Sequence, residues 1–135
     1  MAEQPDPQAI AEMVPFAGVV GMEILSASAE EVRGRLAWSP ERCTTAGVLH
    51  GGAIVSLADT LGATCAFLNL PPGAATSTIE SKTNFFRAVR EGHVEATSRP
   101  LHVGRTTIVV QTDVLDANGK RVAQVTQTQA VLRPD

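Results

Sequence analysis

The sequence predicts an α+β fold in which an antiparallel sheet packs on one long helix. The stretch from Gly51 to about Asn69 is apolar around nearly its whole circumference, two strand-like segments precede it, and four follow it without another long helical pattern. Pro71-Pro72-Gly73 marks the boundary between the two kinds of periodicity. At 135 residues, with no repeat, low-complexity tract or linker, the chain has room for one core and too little for two ordinary domains. The expected organisation is a short lead-in over 1–14 and a single domain over 15–135.

Pro5 and Pro7 open the chain, and Gln8 to Val14 reads as a short helix ended by Pro15. Met22 to Ser28 and Val32 to Trp38 read as two strands flanking Ala29-Glu30-Glu31, with period-two alternation in Val32, Gly34, Leu36 and Trp38. In the helix, Ile54, Leu57, Ala58, Leu61, Cys65 and Leu68 recur at i, i+3, i+4 and i+7, while Ala53, Val55, Gly62, Ala63 and Ala66 make the other faces apolar or small. One sheet covers one side of such a helix, so a second copy of the chain is expected on the other. The later strands are expected at Ala75 to Val89, His93 to Val103, Thr106 to Leu115 and Arg121 to Leu132. Asn118-Gly119 suits a type I′ turn between the last two. In the last strand Val125, Gln127, Gln129 and Val131 alternate with Gln124, Thr126, Thr128 and Ala130, which suggests one half-polar face.

A net charge of −3 and the absence of tyrosine argue against nucleic acid as a partner, because phosphate-binding surfaces need clustered cations and stacking platforms. No run of 18 apolar residues is present, so no membrane partner is expected. The first residues are acidic and broken by proline, unlike a secretory leader, and the expected location is cytoplasmic. Cys43 and Cys65 form no CxxC pair and have no ligand-spaced companions, so neither a disulfide framework nor a metal site is expected.

Between Arg42 and Glu80 the ionisable side chains are His50 and Asp59, apart from the thiols. A carboxylate placed among apolar residues costs stability unless it is hydrogen-bonded or its pKa rises. Asp59 is therefore a candidate reactive group, although pairing with a strand cation, or a position facing solvent, would also account for it. His50-Gly51-Gly52 opens the same helix, where the first N–H groups are free and the dipole is positive. Two glycines leave those donors accessible to a carbonyl or oxyanion; an ordinary glycine-rich helix entrance with a structural histidine has the same sequence. Gly51 and Asp59 lie eight residues apart, about 12 Å along one helix at roughly 1.5 Å per residue. They cannot both touch one carbonyl. If they act on the same bond, Asp59 comes from one subunit and the Gly51 N–H from a second, across a two-fold axis.

The run Gly47-Val48-Leu49-His50-Gly51-Gly52, followed by Ser56-Leu57-Ala58-Asp59, resembles the G-x-x-HGG-x(6)-D/E pattern of the hotdog-fold acyl-CoA thioesterases. The similarity is to the phenylacetate-degradation and 4-hydroxybenzoyl-CoA thioesterase branch, and it extends from about Pro15 to Leu132. The resemblance implies a hotdog fold, with an antiparallel sheet wrapped around one central helix, and hydrolysis of an acyl-CoA by a homodimer or homotetramer. Coenzyme A would then be part of the substrate, and no separate cofactor is expected. Asp59 matches the catalytic carboxylate, a general base or nucleophile; Gly51 matches the glycine whose N–H polarises the thioester carbonyl; His50 matches the histidine that shapes the loop. Many relatives carry Asn or Gln six residues before that histidine, to orient water or the carbonyl, whereas this chain has Thr44. Thr78, or else Ser77, falls near the family's hydroxyl residue. Arg87, Arg90 and the turn Gly104-Arg105-Thr106 are candidates for binding coenzyme A, with Gly52 beside the carbonyl. Any of the arginines is equally readable as a solvated surface cation. Ala63, Ala66, Ala74 and Ala75 would leave room for an acyl group.

Two other readings use the same fold. A hydratase or dehydratase needs His and an acid facing a carbon pair, which HGG-x(6)-D fits less well. A non-catalytic acyl-CoA-binding regulator gains nothing from a desolvated Asp59.

Overall fold

Asp6 accepts a hydrogen bond from the Gln8 N–H at 3.1 Å, and Pro7 takes the first helical position, where a missing N–H costs nothing. These residues start α1 (Pro7–Met13) in a computed structural model that describes residues 4–135. Pro15 does more than end this helix. It opens a second one, α2 (Pro15–Val20), which closes on Gly21 in the left-handed conformation (φ 85°). The sequence reading missed α2 because a proline that stops one helix is equally suited to the first turn of the next.

The remaining elements are β1 (Glu23–Ala27), β2 (Val32–Ala37), α3 (Gly51–Phe67), β3 (Ala75–Phe85), β4 (His93–Val103), β5 (Thr107–Asp116) and β6 (Arg121–Leu132). The six strands form one sheet in the order β1-β2-β4-β5-β6-β3, with every neighbouring pair antiparallel. Strands β2, β4, β5 and β6 alternate buried with half-buried residues along most of their length, as a sheet with one face on a core requires. The buried set, including Leu36, Val94, Ile108, Val110 and Val125, meets Ile54, Leu57, Leu61 and Cys65 of α3. At Gly34 the helix approaches β2 so closely that a Cβ would sit 2.9 Å from Leu61 Cδ2. Burial pushes the Cys65 thiol up to about 11; Cys43, half-buried, donates to the Ser39 carbonyl at 3.3 Å.

β3 ends at Phe85 instead of continuing to Val89. After Phe86 the chain leaves the ladder, and the Val89 carbonyl accepts from the Leu49 N–H at 2.8 Å, tying residues 86–92 to the loop before α3. The β5–β6 turn is also not type I′. That turn needs positive φ at both central residues, and here Gly119 alone has it (φ 80°), while the Asp116 carboxylate accepts from the N–H groups of Asn118 and Lys120, each at 2.9 Å.

Among the described residues, two of the uncovered surfaces are extended. The face of α3 bearing Val55, Asp59, Ala63 and Phe67 is half-buried at best, with Phe67 54% exposed. β3 is a long sheet edge whose residues are nearly all exposed, including Ile79 and Phe85, and it carries a bulge between Thr78 and Glu80. Among the described residues no helix is long and apolar enough to cross a membrane, and no three His, Cys, Asp or Glu side chains gather at metal-binding distance.

Candidate active site

The loop leading into α3 is held from several sides. The His50 N–H donates to the Arg42 carbonyl at 2.8 Å, Cys43 and Leu49 form a bridge, and the Trp38 indole donates to the Gly47 carbonyl at 2.9 Å. Ala46 and Gly47 both have positive φ there (62° and 68°), a conformation that costs glycine nothing and strains alanine. His50 is the N-cap: its Nδ1 accepts from the Gly52 N–H at 2.7 Å, which leaves the ring proton on Nε2. A Cβ on Gly52 would sit 2.9 Å from that Nδ1. Of the two glycine donors, Gly52 is therefore occupied by His50, while the Gly51 N–H has no partner among the described residues. The Phe85 ring lies against Gly51, with Cζ 3.1 Å from where a Cβ would stand. Thr44 is exposed; its N–H donates to the Val48 carbonyl at 2.8 Å, and its side chain lines none of the cavities described below.

Asp59 lies two turns into α3, half-buried, with no cation at ion-pair distance among the described residues. Its partner is an amide: Gln127 Nε2 donates to Asp59 Oδ1 at 3.5 Å. Burial raises the carboxyl above the ordinary aspartate value, and the Gln127 hydrogen bond opposes that rise without cancelling it. Asp59 opens onto an apolar cleft of about 560 Å³ between α1 and α3, lined also by Ile10, Met13, Thr60, Ala63 and Phe67. Of the four small residues proposed to leave room, Ala63 lines this cleft. Ala66 is fully buried in the core, and Ala74 and Ala75 lie outside the cleft. His50 and Gly52 open onto a different hollow, between α2 and α3, beside Phe16, Arg42 and Ser56. Within one chain the helix entrance and the carboxylate therefore face separate spaces.

Thr78 pairs directly across from Gln129 on β6, and Gln129 Nε2 donates to its hydroxyl at 2.6 Å, while the Thr76 hydroxyl donates to Gln129 Oε1 at 3.1 Å. Ser77, one residue earlier, points to the opposite face of the sheet. Gln127 and Gln129, both fully buried, are two residues apart on one face of β6, about 7 Å at the usual strand rise. Asp59 and Thr78 thus rest on neighbouring glutamines. Neither glutamine was singled out from the sequence as a site residue, although both stand in the apolar register of β6, where valines would be the simpler choice.

The cations do not converge. Arg87 and Arg90 line a surface hollow of about 580 Å³ with Lys120, Glu91 and Asp116, next to the residues that hold the pre-α3 loop. Gly104, Arg105 and Thr106 form the β4–β5 turn at the far end of β4, about 30 Å away along that strand. That turn is tight: the Gly104 N–H donates to the Thr107 carbonyl at 2.8 Å, Thr106 accepts from the Val131 N–H at 2.9 Å, and Arg105 accepts from Arg133 through its carbonyl. One protomer cannot bring all three arginines to one phosphate.

A single long helix carrying a half-buried acid, backed by a six-stranded antiparallel sheet, defines a hotdog-type α+β protein. Residues 46–123, more than half of the chain, match the family model described as Thioesterase superfamily, and the chain belongs to that family. It is 34% identical over 86 residues to the proofreading thioesterase EntH of Cronobacter sakazakii and to the 1,4-dihydroxy-2-naphthoyl-CoA hydrolase of Escherichia coli. Each alignment covers 64% of this chain and 63% of the relative, so the chain spans less than two thirds of the length of these curated relatives. A crystal structure of a thioesterase from Haemophilus influenzae superposes with a TM-score of 0.91 at 25% identity, covering 97% of this chain and 93% of that one.

Proposed function

We propose that this chain hydrolyses the thioester bond of an acyl-CoA, giving the free acid and coenzyme A, with Asp59 as the reacting carboxylate. The observation that carries the reading is Asp59 itself: a half-buried acid that has an amide for a partner and, among the described residues, no cation, at the edge of an apolar cleft. A desolvated carboxylate is both a stronger base and a stronger nucleophile than a solvated one. As base, Asp59 takes a proton from water while the oxygen attacks the thioester carbon, and the proton passes to the departing thiolate. As nucleophile, it attacks that carbon directly, expels the thiolate, and water then opens the mixed anhydride. Either route builds negative charge on the carbonyl oxygen, which an unpartnered N–H at a helix start is suited to stabilise.

That N–H is Gly51 of a second subunit. The 12 Å estimate along α3, the separate spaces faced by His50 and Asp59, the half-covered face of α3 and the exposed edge of β3 all favour a homodimer whose two sites each join residues of both chains. His50 acts by capping α3 and fixing the Gly52 N–H, which leaves Gly51 as the donor. The acyl group occupies the α1–α3 cleft, Thr78 approaches the same region from β3, and the Arg87–Arg90–Lys120 hollow is the better placed of the cation groups for a phosphate. A homotetramer built from two such dimers, and a cytoplasmic location, complete the proposal.

The test is release of free thiol from CoA esters of short, medium and long acyl chains and from phenylacetyl- and hydroxybenzoyl-CoA, by wild type beside Asp59→Asn. Turnover of any ester by wild type, with a loss of about a hundredfold or more in the variant, supports the reading. No turnover by wild type, or an equally active Asp59→Asn, sinks it and moves the hydratase and binding-protein readings ahead.

A further inference from the structure

We infer that Gln127 is a positioning residue for Asp59, and that Gly62 is glycine so that the Gln127 amide can reach it. The inference rests on the assignment of Asp59 as the reacting carboxylate. Gln127 is fully buried on β6, in the strand register that Ala123 and Val125 otherwise fill with apolar groups. Its Nε2 donates to Asp59 Oδ1, while its Oε1 is buried without any hydrogen-bond partner. A leucine or methionine would occupy that space without stranding an oxygen, so packing alone gives no reason for an amide.

The backbone of α3 makes room for it. A Cβ on Gly62 would overlap Gln127 Oε1 and stand 2.5 Å from Cδ, so any side chain at 62 displaces the amide. Gly62 is itself buried inside a helix, where glycine weakens the helix relative to alanine. Two residues on different elements are therefore each unfavourable for the fold alone, and each is explained by the other and by the carboxylate that they serve. Asp59 sits one turn before Gly62, which places the amide under it. With one donor anchored in a rigid sheet, the carboxylate keeps one oxygen engaged and presents the other.

Among the described residues no cation competes for that role. Among the described residues Asp6 is the other ionisable group lining the cleft, and the shift at Asp59 comes from burial and the Gln127 amide, with no contribution from charged groups on α1, α2 or the six strands.

The first experiment needs no substrate. In full-length wild type, NMR titration of the side-chain carboxyl of Asp59 and of the side-chain amide of Gln127 should give one shared midpoint, and the amide's response should vanish in Asp59→Asn. In Gln127→Met, which removes the donor, and in Gly62→Ala, which displaces it, the Asp59 midpoint should rise by about half a unit or more. The acid limb of kcat/KM should move to higher pH by the same amount, with kcat falling about tenfold and KM nearly unchanged. A Gln127 amide that ignores the titration of Asp59 in wild type overturns the inference even if neither variant folds. So does a folded Gln127→Met with the wild-type midpoint and pH profile. If the shared midpoint and its shifts are found but no ester is hydrolysed, the coupling of amide to carboxylate stands and the hydrolase reading fails.

Discussion

A carboxyl group held partly out of water binds its proton more tightly than the same group in an unfolded chain, and at Asp59 burial outweighs the single amide that favours the ionised form. The folded pKa lies above the unfolded one, so the folded state holds more proton in the window between them, and the unfavourable contribution of the carboxylate is fully present only above the folded value. Asp59→Asn should therefore match or exceed wild type in Tm at neutral pH. The difference should shrink as the pH falls toward 3.8, the ordinary aspartate value. Thermal melts across that range check it, and a variant clearly less stable at pH 7 would mean that the ionised group is needed for folding. Asp59 and His50-Gly51-Gly52 were legible in the sequence because a lone charge in an apolar helix and a Gly-Gly at its start are local signals. Gln127 was not, since its role depends on a contact between β6 and a glycine 65 positions earlier, and no spacing rule along one element records that. The division of labour between Gly51 and Gly52 likewise depends on which way the His50 ring turns.

The long helix and the sheet depend on each other through a few contacts that tolerate little change. Leu61 is fully buried and packs against Gly34 of β2, so Leu61→Ala should cost about 2–5 kcal/mol, read from the midpoint of urea unfolding at constant slope. A cost under about 1 kcal/mol would mean that α3 is not seated on the sheet as described. At this scale period and punctuation carried most of the information. β4 and β6 begin and end where alternation predicts, and α3 stops two residues before Asn69, on reaching the turn before Pro71. The departures occur where one residue type serves two roles. Pro15 both ends α1 and starts α2, and the Asp116 side chain supplies hydrogen bonds that turn an Asn-Gly pair away from the type I′ geometry.

Taken whole, the chain leaves much apolar surface uncovered: Met13, Phe16, Val19, Phe67, Ile79, Phe85 and Phe86 are all more than half exposed. Some of these lie on or beside β3 and the open face of α3, where the proposed partner would pack. Ile79 sits at the bulge of β3 and contributes little to its own core, so Ile79→Lys should leave far-UV circular dichroism and Tm nearly unchanged while converting the proposed dimer to a monomer. Sedimentation or light scattering would show it, and an Ile79→Lys protein of wild-type mass would place the contact elsewhere. Assembly is where sequence legibility ends. An apolar helix asks for cover but does not say which strand edge meets which, and the two cation groups at opposite ends of β4 become parts of one site only if a second chain brings them together.

The two thiols give the molecule a built-in stopwatch. Cys65 is fully buried at the centre of the α3–sheet contact and protonated across the physiological range, while Cys43 lies in the loop near His50. In Cys43→Ser, a disulfide reagent should therefore find Cys65 only during the intervals when α3 lifts from the sheet. The labelling rate would then count those openings directly, and saturating substrate should slow the count if the acyl group rests in the cleft beside the same helix.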